Sequence, residues 1–362
     1  MLTQKLNVGD NRSLLISGVP EEDEKAYEDA ERNYGVNPIN VKELRRTPGI
    51  LKEIMAIVKI FKIINKSKPD VVHTHHAKAG TLGRVAAKVL GVRIRIHTFH
   101  GHVLSGYFSE NVTKLVILAE RFLAKISTSI ITISAEQFED IVHRYRIAPE
   151  CKTTIIPLGF DFKKMVSTNK NKGLWRQKLG IEKSTVCIGF VGRLAPIKNV
   201  TFLIDAYAEY LQINRDSSLW IIGDGPEKEL LKSKIFQKEM VKNVHFLGWQ
   251  TNLSEIYNDL DVLALTSLNE GTPVAIIEAL SHGVPVVSTN VGGVKSIIAL
   301  PEMGRVVDGF DPMSFSQSLE ETVKIASISK KSGKQWYDEM YQRYSSDRLI
   351  EDIRNLYATS IE

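Results

Sequence analysis

The chain is poor in cysteine. Cys151 and Cys187 are its only two, far apart and without metal-ligand spacing, so the thiols are expected to be reduced and a disulfide framework is excluded. No apolar run reaches the roughly 18 to 20 residues that a membrane-spanning helix needs. The N-terminus lacks the basic start, apolar stretch and small-residue cleavage pattern of a signal peptide. Low-complexity tracts and short internal repeats are missing as well. These absences lead to the expectation of a soluble, cytoplasmic globular protein.

At 362 residues, with 43% hydrophobic and 25% charged side chains, the chain suits two domains of roughly 150 to 200 residues each. The net charge of +5 is unevenly spread, since residues 51–100 hold ten Lys or Arg against two acidic residues. Lys52, Lys59, Lys62 and Lys66 share a segment with Ile54, Ile57, Val58, Phe61 and Ile64, a pattern that predicts a helix burying one side and presenting cations on the other. Lys68, Arg84, Arg93 and Arg95 are near in sequence. The stretch reads either as a solvated face or as a surface for an anionic membrane or acceptor. Nothing in it suggests a nucleic-acid partner.

Strand-like runs alternate with helical ones. Segments 13–17, 70–73, 92–96, 129–134 and 153–157 read as strands, with periodic stretches at 51–66, 80–90 and 111–126 between them. After Asp161 the pattern relaxes, then restarts as strand 185–192, helix 199–214, strand 218–223, helix 227–239 and strands 243–248, 261–266 and 285–288. Residues 334–358 read as terminal helices. The expected division is an N-terminal domain of residues 1–164, a second domain of 165–335, and C-terminal helices of 336–362 returning toward the first domain. Two α/β sheets in tandem imply a cleft, and in open parallel sheets ligands bind beyond the carboxyl ends of the strands.

The most informative stretch runs from Ser267 to Gly293, S-L-N-E-G-T-P-V-A-I-I-E-A-L-S-H-G-V-P-V-V-S-T-N-V-G-G. It follows an apolar strand, turns into a helix through Gly271-Thr272-Pro273, and carries Glu270 in the loop and Glu278 in the helix. The helix start at residues 271–274 (Gly271, Thr272, Pro273, Val274) is expected to form an anion site through its free amides, with both carboxylates free to hold neutral hydroxyls beside it. Taken alone, the same pattern fits an ordinary βα unit with solvated glutamates. Gly192-Arg193-Leu-Ala-Pro-Ile-Lys198-Asn199 is a second strand-to-helix loop, whose guanidinium fork and mobile ammonium suit a diphosphate. Gly223-Asp224-Gly225-Pro226 ends a third strand, but Lys228 occupies the place of the third glycine in a dinucleotide fingerprint, which weakens an oxidoreductase reading.

Six of the nine histidines fall between positions 73 and 102: His73, His75, His76, His97, His100 and His102. No acidic or thiol ligand accompanies them, so loop-end histidines fit better than a metal site. Lys78, in H-H-A-K-A-G-T-L-G-R, stands at a helix start where it could meet an acceptor phosphate, although a simple capping loop is an equal reading.

Together, Gly192-Arg193-Leu…Lys198, Gly223-x-Gly225-Pro226, and Glu270 followed after seven residues by Glu278 resemble the donor-site motifs of the family-4 retaining glycosyltransferases. The stretch H-T-F-H-G-H-V-L-S-G-Y-F is similar to a bacterial subgroup acting in surface-polysaccharide pathways. The resemblance implies a GT-B fold of two Rossmann-like domains facing a cleft, and covers nearly the whole chain. The family's first strand and glycine-rich loop have no counterpart, and residues 1–8 read as the end of the helix that should follow them. An N-domain shortened at its start, with an unpaired sheet edge, is therefore expected.

The implied activity is transfer of a hexosyl or N-acetylhexosaminyl group from a nucleotide diphosphate donor, by preference a UDP-sugar, with retention. The implied roles are Arg193 and Lys198 on the diphosphate, Glu270 with its following amides on sugar hydroxyls and phosphate, Glu278 on the ribose and His100 on the transferred sugar. Gly192, Gly223, Gly225 and Gly248 would line the donor, with Lys78 and Arg84 on the acceptor side. Fixed cations would replace a metal at the leaving group, so no cofactor is implied. A polyprenyl-diphosphate-linked acceptor and peripheral association with the inner face of the membrane complete the expectation. A nucleotide-sugar 2-epimerase and a non-catalytic binding subunit remain the alternatives.

Overall fold

The structure, a computed structural model, describes residues 2–7, 9, 11–18, 35–45, 49–100, 109–166 and 172–361, with side chains at 50, 327–332 and 361 left undescribed. The chain divides into two compact units. One comprises Met1–Gly159 with Ser346–Glu362, the other Phe160–Ser345. The sequence boundary at 164 thus lies a few residues late. The helix that holds residues 336–344 belongs to the second unit, and only the segment from Ser346 onward returns to the first.

The first unit contains the isolated parallel pair β1 (Ile16–Ser17) and β2 (Ile39–Asn40), and a sheet of β3 (Val71–His75), β4 (Ile94–Thr98), β5 (Ser129–Thr132) and β6 (Thr153–Ile155). These four lie in chain order, all parallel. Parallel neighbours need crossovers, and helices supply them: α1 (Leu2–Leu6) precedes the strands, and α2 (Ile50–Ser67), α3 (Ala77–Val89) and α4 (Glu110–Ile126) run between or before them. On one face Ile60 and Ile64 of α2 pack with Ala86, Ala87 and Val92. The other face, carrying Ile94, Ile96 and Ile131, is covered by Leu6 of α1 and by Ile350 and Ile353 of the C-terminal helix.

The second unit is a six-stranded parallel sheet of β7 (Val186–Val191), β8 (Ser217–Ile222), β9 (Val244–Gly248), β10 (Val262–Leu265), β11 (Val286–Thr289) and β12 (Gly304–Val307). Its order, β12-β11-β10-β7-β8-β9, reverses direction between β7 and β10. That is the strand order of a nucleotide-binding doubly wound sheet, and the reversal is its topological switch point. The strands read as continuous apolar runs because both faces are buried, by α5 (Val200–Ile213), α6 (Lys228–Gln237), α7 (Val274–Ser281) and the long α8 (Pro312–Tyr344). The final helix, α9 (Ser346–Ile361), follows α8 after one residue, Ser345.

Most sequence-read elements are present to within a few residues. Segment 13–17 shortens to the two residues of β1, and residues 2–6 are helical as expected. Strands β2 and β12 and the first two-thirds of α8 have no counterpart in the sequence pattern.

Candidate active site

In the second unit the predicted donor residues gather along the carboxyl edge of one sheet. The loop after β7 and the loop after β10 leave from the switch point and are tied together: the Leu268 amide donates to the Ile197 carbonyl at 2.8 Å, and Thr266 Oγ1 donates to the carbonyls of Lys198 and Asn199, each at 3.2 Å. This stitching places the Lys198 ammonium on Glu270 Oε1, which also accepts from Ser267 Oγ at 2.6 Å. The pair is largely sheltered, with 23% of the Lys198 side chain and 10% of that of Glu270 exposed. Arg193 is exposed on the same loop as Lys198.

Two glycines fix these loops. Gly223 has φ +134°, and a Cβ there would sit 1.9 Å from the Gly192 carbonyl oxygen. Gly292 has φ +48°, and a Cβ would fall 1.7 Å from the carbonyl oxygen of Glu270. Only glycine combines that backbone with such close approach. The turn after β8 is also anchored by the Gly223 amide, which donates to Gly248 at 2.9 Å, while Gly225 lies against Leu194. Gly192, Gly223, Gly225 and Gly248 are thus brought together at the carboxyl ends of β7, β8 and β9.

The start of α7 differs in detail. Pro273 is its N-cap, in an extended conformation, with no side-chain cap; it lies just outside the first turn and has no N–H to offer. The open amides are those of Gly271, Thr272, Val274 and Ala275, for which no acceptor exists among the described residues. They leave the partial positive charge of the helix start uncompensated. Glu278, on the same helix, accepts at Oε2 from the Tyr257 hydroxyl at 2.9 Å, and its burial raises its pKa above the ordinary carboxyl value while that hydrogen bond opposes the rise. Sequence reasoning misses Ser267, Tyr257 and His282. Ser267 has a signal, three residues before Glu270; the other two have none, because their role depends on packing between helices.

In the first unit, His75 Nδ1 and His100 Nε2 lie 2.8 Å apart at the carboxyl ends of β3 and β4, and His76 stacks on His100 with centroids 5.1 Å apart. His73 bonds Thr98 Oγ1 at 2.7 Å and Tyr357 of α9 at 2.8 Å, and stacks on His75 as their shared strand face predicts. Burial lowers the pKa of His73 to about 3 and of His100 to about 4, with His75 and His97 also well below the ordinary histidine value. These four are neutral rings at pH 7. His97 is a core residue bonded to Thr74 at 2.9 Å. His102 and Gly101 lie outside the described residues. Among the described residues no group of three or more His, Cys, Asp or Glu is arranged to hold a metal ion.

The acceptor-side expectations need correction. Arg84 is fully buried, pairs with Glu120 at 2.9 Å and bonds the Gly80 carbonyl at 3.0 Å, so it is a core ion pair and not a surface cation. Lys78 pairs with Glu53 of α2 at 3.1 Å and donates to the Arg45 carbonyl at 2.8 Å, which makes it a tie between α3 and its neighbours. Arg95 spends its guanidinium on backbone carbonyls, including that of Ile126 at 2.6 Å. On α2 the buried side is Ala56, Ile60 and Ile64, whereas Ile54 and Val58, expected inside, are exposed.

A doubly wound sheet with a cation, a carboxylate and open helix amides at its switch point defines a nucleotide-binding unit, and a second parallel α/β unit accompanies it. Comparison with known proteins gives the same assignment in finer terms. Residues 171–339 match the family described as Glycosyl transferases group 1, and residues 13–164 match Glycosyltransferase Family 4. The chain is 31% identical over 325 residues to an Escherichia coli UDP-Gal:alpha-D-GlcNAc-diphosphoundecaprenol alpha-1,3-galactosyltransferase, covering 88% of this chain and 82% of that protein. It is 24% identical over 342 residues to the capsular polysaccharide biosynthesis glycosyltransferase CapM of Staphylococcus aureus, covering 91% and 87%. Among solved structures, Anabaena Alr3699/HepE in complex with UDP superposes with a TM-score of 0.79 at 19% identity, over 99% of this chain and 94% of that one. The chain belongs to glycosyltransferase family 4: it is a retaining glycosyltransferase of GT-B fold, which moves a sugar from a nucleotide diphosphate donor to an acceptor.

Proposed function

We propose that the donor is a UDP-sugar and that the acceptor is a polyprenyl-diphosphate-linked saccharide of surface-polysaccharide or glycolipid synthesis. The observation that carries this reading is the switch-point constellation: Lys198 on Glu270, four open amides at the start of α7, and Arg193 on the adjoining loop. In the proposed assignment Arg193 and Lys198 meet the diphosphate. Glu270 and the amides of Gly271, Thr272 and Val274 take sugar hydroxyls and phosphate, Glu278 takes the ribose diol, and His100 is assigned to the transferred sugar. As the anomeric bond breaks, negative charge grows on the leaving diphosphate, where fixed cations and open amides stabilise it. The named activity of the E. coli relative, on an undecaprenyl-diphosphate acceptor with UDP-galactose, favours this donor and acceptor class.

Association with an anionic bilayer is part of the same proposal. Among the described residues no helix is long and apolar enough to cross a membrane. Yet α2 exposes Leu51, Ile54, Met55 and Val58 on the side opposite its buried residues, with Lys52, Lys62 and Lys66 exposed on the same helix. In α4, Val112, Leu115, Leu118 and Phe122 form a second exposed stripe, with Leu115 67% and Phe122 61% exposed. Apolar ridges interleaved with lysines suit insertion at a headgroup boundary. The test is to incubate pure protein with a panel of UDP-sugars, with and without a polyprenyl-diphosphate-linked sugar in anionic vesicles. Acceptor-dependent UDP release and salt-sensitive co-sedimentation are expected. Epimer formation without acceptor, or binding that ignores salt, would overturn the reading.

A further inference from the structure

Tyr257 ends the short helix Leu253–Tyr257. It is 1% exposed, yet its hydroxyl is not spent on a nearby backbone group: it lies 2.9 Å from Glu278 Oε2 and 3.4 Å from the Ala275 carbonyl oxygen. One hydroxyl proton serves one acceptor well, and the shorter contact to the carboxylate takes it. A phenylalanine would fill the same volume, so what the tyrosine adds is this donor.

The next turn of α7 braces the arrangement. His282 stacks on Tyr257 with centroids 5.2 Å apart and planes 25° apart. Its Nδ1 lies 2.7 Å from the Glu278 carbonyl oxygen and its Nε2 2.9 Å from Ser254 Oγ. A carbonyl can only accept, so Nδ1 carries the proton and Nε2 accepts from the serine. That is the neutral tautomer, in keeping with burial, which lowers the His282 pKa. The helix at 253–257 and α7 are therefore pinned at two points, one at the backbone of Glu278 and one at its carboxylate.

We propose that Tyr257 is a positioning residue for the nucleotide site, holding Glu278 in the ionised state and the rotamer that accept a ribose diol, with His282 and Ser254 fixing the helix turn that carries it. The inference rests on the assignment of Glu278 to the ribose. The carboxylate has two oxygens; Tyr257 occupies one lone pair of Oε2 from inside the protein, leaving Oε1 and the outer side of Oε2 for two hydroxyl donors. Among the described residues Tyr257 is the one titratable side chain that acts on this carboxylate, His282 reaching the backbone of Glu278 instead. Tyr257 itself stays protonated, because burial and the adjacent Glu278 raise its pKa well above the ordinary phenol value. Without that donor the buried carboxyl would take up a proton at higher pH and lose an acceptor.

The test measures UDP affinity by calorimetry from pH 5 to 8 for the wild-type chain, Tyr257→Phe, Glu278→Gln and the double variant, with melting temperature as a control for folding. Tyr257→Phe should weaken UDP binding about 10- to 150-fold at pH 7, as loss of one hydrogen bond to a charged group does, and raise KM for the donor more than it lowers kcat. The pH below which binding fades should move upward in Tyr257→Phe and vanish in Glu278→Gln. In the double variant Tyr257→Phe should add nothing to Glu278→Gln. Unchanged affinity and pH dependence in Tyr257→Phe, or additive effects in the double variant, would overturn the positioning role while leaving the ribose assignment standing. Full UDP affinity in Glu278→Gln would instead remove the ribose assignment, and this inference with it.

Discussion

Replacing Lys198 with methionine keeps the apolar stem of the side chain and removes only its charge. Two separable effects follow. The first concerns folding: Glu270 loses its cation but keeps the 2.6 Å hydrogen bond from Ser267, and the pair is sheltered without being fully buried, so the cost to stability is about 1 to 2 kcal/mol. The second concerns the reaction. If Lys198 faces the diphosphate as charge develops there, its loss removes about 2.7 to 4 kcal/mol of transition-state stabilisation, about 100- to 1,000-fold in kcat. The double variant Lys198→Met/Glu270→Gln separates the two, because it removes the uncompensated carboxylate: the melting temperature should recover and kcat should not. UDP release from the best donor of a UDP-sugar panel, paired with thermal unfolding, reads both quantities. A kcat within a few-fold of wild type in Lys198→Met, with stability lowered as calculated, would show that Lys198 only props the Glu270 loop and would refute its role at the leaving group.

Gly292→Ala should destabilise the second unit by at least about 2 kcal/mol, since it joins a left-handed backbone to a clash with the Glu270 carbonyl; an unchanged urea midpoint with unchanged turnover would contradict the loop geometry. Activity should survive EDTA if, as proposed, Arg193, Lys198 and the open amides face the leaving group; abolition by EDTA with rescue by magnesium or manganese would show a metal-dependent step. Acid should weaken the first unit: His73 and His100 titrate in the folded state at about 3 and about 4, against about 6.5 unfolded. The unfolded chain therefore binds more protons below pH 6.5, and stability falls from there toward pH 4. Calorimetry should show the melting temperature dropping across that window, more steeply than in His73→Gln; a flat profile would mean that the rings are not buried neutral.

The legible parts of this chain are those with a local signature. Parallel strands announce themselves as apolar runs, and the loops at Gly192, Gly223 and Glu270 carry enough fixed residues for their amino-acid pattern alone to place them at strand ends. What resists such reading is governed by long-range contact. Arg84 looks like one more cation in a basic stretch, because Glu120, which buries it, is 36 residues away. Ile54 and Val58 fit a core-facing period, yet the layer beneath α2 ends at Ala56, Ile60 and Ile64. The Tyr257–Glu278 contact joins two helices that no periodicity links, and β12 lies in a stretch too polar to resemble a buried strand.

The way the chain returns to its first unit matters for its synthesis. Residues 160–345 form a contiguous unit, whereas the first is assembled from 1–159 and 346–362. A ribosome delivers the Ile94, Ile96 and Ile131 face long before Ile350 and Ile353 leave the exit tunnel to cover it. During translation of the whole second unit that face has only α1, through Leu6, to shield it from water. The N-terminal half is thus the earlier made and the later finished, and a stop codon at Ser346 would release a chain with its nucleotide unit complete and this face of the partner sheet covered by α1 alone.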